Sequence, residues 1–436
     1  MAHLRFNFAM LWLYRFLFLP VLLALAPGYL LRMRRRGGLR QKFSERFGRH
    51  PDLGAKSESR RRIWIQAVSL GEVLAIVPLV ESLLRHENLE IYVTTTTTTA
   101  YRVADQRLDG LVRGVGYFPI DWWWFSVLAW RRIDPDLVIL TEGERWPEHI
   151  HQATRRHVPV IAINARMSDR SFHRMLRFPF IHRAVLGGIT RLLPCSREDE
   201  QRFAALGYPA DRITSTGNIK MDLKISLLSD ADRGCLRREL GLGAGLVLLG
   251  SSTWPGEEKA LLKVMLAARE QGVDCSLLIV PRHAERRSEI ERLIRSEASI
   301  HLRSKGPAAA QVDVALADTT GELRKLTQVA DVVFVGKSLA PNEGGQTPVE
   351  AAALQKPIIF GPRMSNFRSI AVELCERGAA VEVEDVEGLK REVLDLFGNP
   401  EKRLAMALAA TRWQRENAGA VDRTLGVIRE ELAKLL

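Results

Sequence analysis

The stretch Gly344-Gly345-Gln346-Thr347-Pro348-Val349-Glu350 combines residue types that suit an anionic ligand. It follows an apolar run, Asp331 to Gly336, that reads as a buried strand, and it opens an Ala-rich segment, Ala351 to Leu354, that reads as a helix. Paired glycines let a backbone come close to a ligand. Thr347 suits an N-cap, Pro348 the first helical position, and Glu350 stands three residues after the cap. A helix start offers free N–H groups and the positive end of a dipole, which favours phosphate. Glu350 could then accept hydrogen bonds from ribose hydroxyls. The other reading of Thr-x-x-Glu is a capping box with no ligand.

Further clusters fall where strand-like runs end, the place where open α/β sheets take their ligands. Ser69-Leu70-Gly71-Glu72 follows the run Ile63 to Val68. Glu72 is a candidate general base there, and a Ser69–Glu72 capping box is the alternative. Thr141-Glu142-Gly143-Glu144-Arg145-Trp146-Pro147 follows Leu137 to Leu140. Its two carboxylates beside an arginine could bind a polar ligand or polarise a hydroxyl, or they form a solvated charged loop. Asn164 to Arg170, with Arg166 inside it, follows Val158 to Ile163 and suits a phosphorylated acceptor. Pro281-Arg282-His283 follows Ser276 to Val280. Arg282 can offer a phosphate a fork of donors, or it sits in a surface turn.

Other chemistries lack their residues. No His or Cys stands in metal-ligand spacing with these acids, so no dedicated metal site is expected. Gly336-Lys337-Ser338 looks like the end of a P-loop, but position 331, where that pattern needs glycine, is Asp331. No Gly-x-Gly-x-x-Gly follows an early strand, which counts against a dehydrogenase. No Gly-x-Ser-x-Gly elbow is present, which counts against an α/β-hydrolase.

The elements that must position these residues alternate in a βαβ rhythm, the pattern of parallel sheets. Helices fit Gly71 to Arg85, Pro147 to Arg156, Glu257 to Gln271, Ala284 to Arg295 and Thr347 to Gln355. Strands fit the runs already named, together with Leu89 to Val93, Leu246 to Leu249, Val332 to Val335 and Pro357 to Phe360. The six threonines Thr94 to Thr99 read as a strand end and a hydroxyl-rich loop. The tail from Pro400 to Leu436 reads as long and helical. Two open α/β domains follow, and 436 residues suffice for two full cores.

Composition is ordinary and globular, with 46% hydrophobic and 26% charged residues. Cys195, Cys235, Cys275 and Cys375 are widely spaced, which suits reduced thiols rather than a disulfide framework. The net charge is +12, and residues 31–62 hold twelve Lys/Arg against three Asp/Glu. This basic block follows the apolar run Phe16 to Leu31, so it points to an anionic membrane surface and not to nucleic acid. The run is sixteen residues long and contains Pro20, Pro27 and Gly28, whereas a span takes about 20 apolar residues. The arginines after it argue for an uncleaved anchor with its C-terminal side cytoplasmic. Spanning the bilayer and lying in its interface both stay open.

Taken together, these motifs resemble the bacterial 3-deoxy-D-manno-octulosonic acid (Kdo) transferases of lipid A assembly. The resemblance covers nearly the whole chain, in order. It runs through Ser69–Glu72, Thr94–Thr99, Glu142–Pro147, Asn164–Ser171, Thr216–Lys220, Gly250–Glu257, Pro281–His283, Gly344–Glu350 and Phe360–Asn366. It implies a GT-B fold, two Rossmann-like domains facing across a cleft behind an N-terminal membrane anchor. The expected divisions are an anchor with its basic segment over 1–40, an acceptor domain over 41–220, and a nucleotide-sugar domain with the helical tail over 221–436.

The same resemblance implies an inverting transfer of Kdo from CMP-Kdo to a lipid A precursor (lipid IVA), at the cytoplasmic face of the inner membrane. No cofactor and no catalytic metal are implied. Glu72 matches the family's general base. Ser69, Gly71, Glu142, Glu144 and Arg166 would meet the acceptor. Ser251, Arg282, His283, Gly344, Gly345, Gln346, Thr347 and Glu350 would meet the sugar nucleotide.

The chain departs from the family's usual pattern at several positions. Gln346-Thr347 stands where His-Asn is usual, Gly143 replaces the middle Thr of Thr-Glu-Thr-Glu, and Lys337 stands where Gly is common. Trp122-Trp123-Trp124 is unusually aromatic. These bear on donor recognition, not on the fold. A transferase for another nucleotide sugar and a non-catalytic scaffold of the same fold are the rival readings. Retention of Glu72, Arg282 and Glu350 together speaks against the scaffold.

Overall fold

A computed structural model describes residues 8–35, 42–56, 60–86, 88–178, 186–222 and 225–435. The chain divides into two compact units, Met1–Asp222 with Ala418–Leu436, and Leu223–Asn417. In the first unit, β1 (Arg61–Gln66), β2 (Leu89–Thr95), β3 (Gly114–Tyr117), β4 (Leu137–Thr141), β5 (Val160–Ala165) and β6 (Arg191–Pro194) form one parallel sheet. Its order is β3-β2-β1-β4-β5-β6. Every residue of β4 and β5 is buried, because helices cover both faces of a parallel sheet, and this is why those runs read as continuously apolar. The order reverses at β1, so a crevice opens between β1 and β4 beyond their carboxyl ends.

In the second unit, β7 (Leu246–Thr253), β8 (Cys275–Pro281), β9 (Ile300–Leu302), β10 (Val314–Leu316), β11 (Val332–Val335), β12 (Ile358–Phe360) and β13 (Ala380–Glu382) form another parallel sheet. Its order is β13-β12-β11-β7-β8-β10-β9, and it reverses between β7 and β11. The strands anticipated from apolar runs all form, with ends that move by at most four residues. The threonine run is shared differently from expectation. Thr94 and Thr95 finish β2, and Thr97 caps the helix α3 (Thr98–Leu108), accepting from the Ala100 N–H at 3.2 Å.

The tail does not form one long helix in the second domain. It breaks into Pro400–Asn417 and Ala420–Ala433, and the second piece belongs to the first unit. Ala420, Val421, Leu425, Ile428 and Leu432 complete the first hydrophobic core beside α2 (Leu70–His86). The Asp222 carboxylate fixes that helix start by accepting from the Gly419 and Val421 N–H groups at 2.6 and 2.5 Å.

The N-terminal run is one helix, α1 (Phe8–Arg35), carrying both prolines. Among the described residues, no helix is long and apolar enough to cross a membrane. The helix is held to its own unit by polar side chains. Tyr14 donates to Asp121 at 2.7 Å. Arg15 forms a two-pronged pair with Glu148, at 2.8 and 3.0 Å. Asp121 also accepts from the Glu148 and His149 N–H groups, so one buried carboxylate both receives α1 and caps α5 (Pro147–Arg155).

The basic block is only partly available to a membrane. Residues 36–41 and the side chains of 32–35 lie outside the described residues. Lys42 donates to the Val115 carbonyl, Arg46 to Thr96, and Lys56 pairs with Asp136. Arg61 donates to Leu435, and the buried Arg62 pairs with Glu90. The fold's own acceptors therefore take several cations that the sequence assigned to anionic lipid.

Removing one partner of a buried ion pair strands the other charge. Arg15→Ala should destabilise the protein by about 3–5 kcal/mol, since Glu148 is fully buried. Adding Glu148→Gln should recover part of that loss. Urea unfolding of the three proteins measures both, and an Arg15→Ala variant within about 1 kcal/mol of the parent would mean that the pair does not dock α1.

Candidate active site

In the first unit, the candidate residues gather at the carboxyl ends of β1 and β4. Glu72 lies in the first turn of α2. Its Oε1 accepts from the Ser69 hydroxyl at 2.9 Å, and its Oε2 accepts from the Val68 N–H at 2.9 Å. The Ser69 hydroxyl accepts in turn from the Glu72 N–H at 3.4 Å, so half of the expected capping box forms, while the carboxylate reaches back to the Val68 N–H and not to that of Ser69. This is not the whole arrangement, because Oε2 also lies 2.5 Å from the Thr141 hydroxyl, across the crevice at the end of β4. Thr141 has one proton and two acceptors, Glu72 and the Gln66 carbonyl at 2.9 Å. When that proton turns to the Gln66 carbonyl, the Thr141 oxygen is free to accept from a protonated Glu72.

Glu142 and Asn164 both hold left-handed backbones, with φ of 50° each. Glu142 pairs with Lys220, and the Asn164 side-chain oxygen accepts from the Ile219 N–H at 3.1 Å. A Cβ on Gly71 would lie 3.9 Å from the Lys220 ammonium, so Ser69–Glu72 and Thr216–Lys220 adjoin. Arg145 is not solvated. It donates to the Arg166 carbonyl at 2.6 Å, lies over the Phe203 ring, and burial pulls its guanidinium down to about 10. The Arg166 side chain is half-buried and makes no hydrogen bond or ion pair among the described residues. Burial pushes Glu144 up to about 7; the Trp146 N–H bond at 2.5 Å opposes this and the neighbouring Glu72 charge adds to it.

In the second unit, the candidates meet at the ends of β7, β8 and β11. Glu257 organises them. Its Oε2 accepts from the Trp254 and Lys337 N–H groups, at 2.9 and 2.8 Å. Its Oε1 accepts from Ser338 and Leu339, at 3.0 and 3.2 Å. Ser251 is buried near the end of β7, and His283 meets the Trp254 ring edge-on with centroids 5.3 Å apart. Arg282 makes no hydrogen bond or ion pair through its guanidinium among the described residues. It is close enough to help hold the Glu350 carboxyl down, against the larger upward push of burial and beside the nearer Arg324.

The glycine-rich loop differs from expectation in three ways. Its glycines make room for protein, not for a ligand. A Cβ on Gly344 would meet the Asn366 amide at 2.6 Å, and one on Gly345 would run into the Met364 sulfur. The helix is a single turn, Val349–Ala353, too short to carry much dipole. No capping box forms, because Thr347 accepts from the Val349 N–H at 3.3 Å and leaves Glu350 out of the cap. The Gln346 N–H is spent on the Gly336 carbonyl. Glu350 Oε2 is consequently buried with no partner, while Oε1 faces Arg324 at 3.6 Å. An unpartnered buried acceptor suits a ligand hydroxyl.

Sequence reasoning passed over Thr141, Lys220, Trp254 and Glu257 as individual residues. Glu257 carried a signal, an acid just after Trp254-Pro255-Gly256 at a helix start. Among the described residues no group of three or more His, Cys, Asp and Glu converges as a metal set. A cavity of about 600 Å³ lies at the opposite, amino-terminal end of β5 and β6, lined by Pro159, Thr190, Arg191 and Glu431. Arg191 is tied there to Thr214 and Glu431, and none of the candidate residues reaches it.

Residues 41–223 match the family described as 3-deoxy-D-manno-octulosonic-acid transferase (kdotransferase). The 3-deoxy-D-manno-octulosonic acid transferase of Haemophilus influenzae is 32% identical over 91% of this chain and 92% of its own. That of Bordetella pertussis is 32% identical over 92% of this chain and 94% of its own. Among solved structures, the UDP-GlcNAc 2-epimerase of Neisseria meningitidis bound to UDP-GlcNAc superposes with a TM-score of 0.59 at 15% identity, over 86% of this chain and all of its own. A glycosyltransferase from Rickettsia africae gives 0.59 at 13% identity, over 86% and 99%. These structures share the fold, which is GT-B-like, with two parallel Rossmann-like sheets.

A carboxyl raised in the folded protein favours the protonated fold. That stability is full below the ordinary carboxylate range and is lost as pH rises through about 7. Glu144→Gln should therefore melt close to the parent near about pH 5 and above it near about pH 8. Melting curves across that range decide, and a difference that stays constant would place the Glu144 titration elsewhere.

Proposed function

We propose that this chain, which belongs to the 3-deoxy-D-manno-octulosonic acid (Kdo) transferase family of glycosyltransferases, moves Kdo from CMP-Kdo onto a lipid A precursor such as lipid IVA. The observation that carries the donor half is the pair at the carboxyl ends of the second sheet. Among the described residues the Arg282 guanidinium has no hydrogen-bond or ion-pair partner, and Glu350 Oε2 is buried without a donor. A nucleoside monophosphate answers both needs, with phosphate for the guanidinium and ribose hydroxyls for the carboxylate. The site is also economical in charge: Arg282 can take up the negative charge that develops on the departing CMP.

In the acceptor half, Glu72 receives the proton. The acceptor hydroxyl oxygen bonds to the anomeric carbon of Kdo as the bond from that carbon to the CMP phosphate oxygen breaks, with inversion. The hydroxyl proton passes to Glu72. Protonated at Oε2, Glu72 can donate to Thr141, whose own proton turns to the Gln66 carbonyl. Glu142, Lys220 and Arg166 surround this point with both signs of charge, which suits a phosphorylated sugar lipid.

The membrane reading is interfacial. Trp12, Leu13, Phe16, Leu17 and Val21 of α1 are exposed, as are Trp123 and Trp124 at the start of α4 (Trp123–Ile133). Phe18 stacks on Trp122 and Arg15 lies over Trp123, which joins the two groups into one apolar surface. A surface of that kind on a monomer marks an interaction site, and a lipid substrate supplies the partner.

Glu72→Gln should leave the fold intact and cut turnover by about 10²- to 10⁴-fold. The assay is incubation with CMP-Kdo and lipid IVA, followed by mass spectrometry of the product. Near-normal turnover in a folded Glu72→Gln protein would leave Glu72 as a helix cap only. Wild-type protein that yields no Kdo-bearing product would remove the donor and acceptor assignments together.

Phe16→Ser with Trp124→Ser should weaken flotation with phospholipid vesicles at least tenfold, since each buried aromatic is worth about 1.5–3 kcal/mol. The parent should resist a salt wash, because the contact is apolar. Equal flotation of variant and parent would place the lipid contact on another face.

A further inference from the structure

We propose that Lys337 is a specificity-determining residue that grips an anionic group of the sugar nucleotide, its phosphate or its sugar carboxylate, against the Trp254 indole. The proposal rests on the donor reading above and assigns it a residue outside the family's usual set. Lys337 stands two residues after β11, at the switch point of the second sheet and on the same side as Arg282 and Glu350.

The backbone does not call for this side chain. Lys337 has a φ of 60°, a conformation that glycine holds without cost and lysine does not. Lys337 itself bonds here only through its main chain, its N–H donating to the Glu257 carboxylate and its carbonyl accepting from the Gly345 N–H. A glycine would make the same bonds. The ammonium is nevertheless placed with care. It lies 4.7 Å from the centre of the Trp254 ring, over its face, within reach of a cation–π attraction.

Its three donors are unspent. Among the described residues the Lys337 ammonium has no hydrogen-bond or ion-pair partner. The nearby acids are engaged, Glu257 with four N–H groups and Glu343 with Arg363 at 3.5 Å. A Cβ at Gly344 would stand 3.4 Å from the ammonium, so no side chain of that residue covers it. The second observation is the indole itself. The Trp254 Nε1 is buried and has no acceptor. Two kinds of donor without acceptors, one of them cationic, call for an anion.

The experiment separates the two sources of the anion. Cytidine, CMP and CMP-Kdo are compared on the wild type, Lys337→Met and Lys337→Arg. Methionine keeps the packing on Trp254 and drops the charge, while arginine keeps the charge. Binding of cytidine and CMP is followed by calorimetry, and CMP-Kdo by the KM of transfer. If the anion is the phosphate, Lys337→Met weakens CMP about tenfold or more and leaves cytidine unchanged. If it is the carboxylate, CMP is unchanged and the KM for CMP-Kdo rises by a similar factor. In either case Lys337→Arg retains most of the affinity and kcat moves little. If Lys337→Met matches the wild type for CMP and CMP-Kdo, the proposal is overturned and Lys337 only packs on Trp254. A wild type that binds neither CMP nor CMP-Kdo overturns the donor reading itself, a separate result.

Discussion

Each half of this protein depends on one glutamate that spans the crevice in its sheet. In the second unit, the Glu257 carboxylate collects four N–H groups, one from the loop after β7 and three from the loop after β11. In the first, Glu72 collects Val68 and Ser69 after β1 and Thr141 at the end of β4. Neighbouring strands at a switch point send their connections in opposite directions, so nothing in the sheet itself joins the loops above the crevice. A short acid in the first turn of the following helix supplies that join. The candidate side chains are ordered because these loops are ordered.

The two acids differ in how much capacity they keep. Glu257 is buried and spent on backbone donors; burial raises its carboxyl, and those donors counter that push only in part. It is a structural clasp. Glu72 is held by two hydroxyls and one N–H, and hydroxyls can reverse the direction of a hydrogen bond. The same device thus serves architecture in one unit and leaves room for proton transfer in the other. Lys337 and Gln346-Thr347, where this chain departs from the family's usual pattern, stand in the loop after β11 that Glu257 ties down at Lys337, Ser338 and Leu339.

Much of the fold was legible because parallel strands are buried on both faces and leave unbroken apolar runs. Ile63 to Val68, Leu137 to Leu140 and Val332 to Val335 show this directly. The candidate site was legible in part, because strand ends mark where ligands go and Glu72, Arg282 and Glu350 stand there. What stayed hidden was set by distant partners. Gly344 and Gly345 read as a ligand cradle, but Asn366 and Met364 take the space beside them. The Thr347–Glu350 spacing is that of a capping box, yet the helix starts two residues after Thr347 and the box does not form. The basic block read as a membrane surface, although Arg62 faces Glu90 and Arg46 faces the Thr96 carbonyl. Local sequence carries no record of such pairings.

The return of residues 420–433 to the first core has a consequence for synthesis. Most of that core emerges early from the ribosome, but Ala420, Leu425 and Ile428 come only after the 195 residues of Leu223–Asn417 have been made. At roughly 5–20 residues per second, that interval is on the order of 10–40 s. Throughout it, the part of α2 that packs on residues 420–433 has no covering helix, although α3 is already made. The usual order, in which the leading domain finishes folding first, is reversed here. The nascent chain carries an open hydrophobic surface for the whole translation of its neighbour, which makes the leading half a natural client for chaperones.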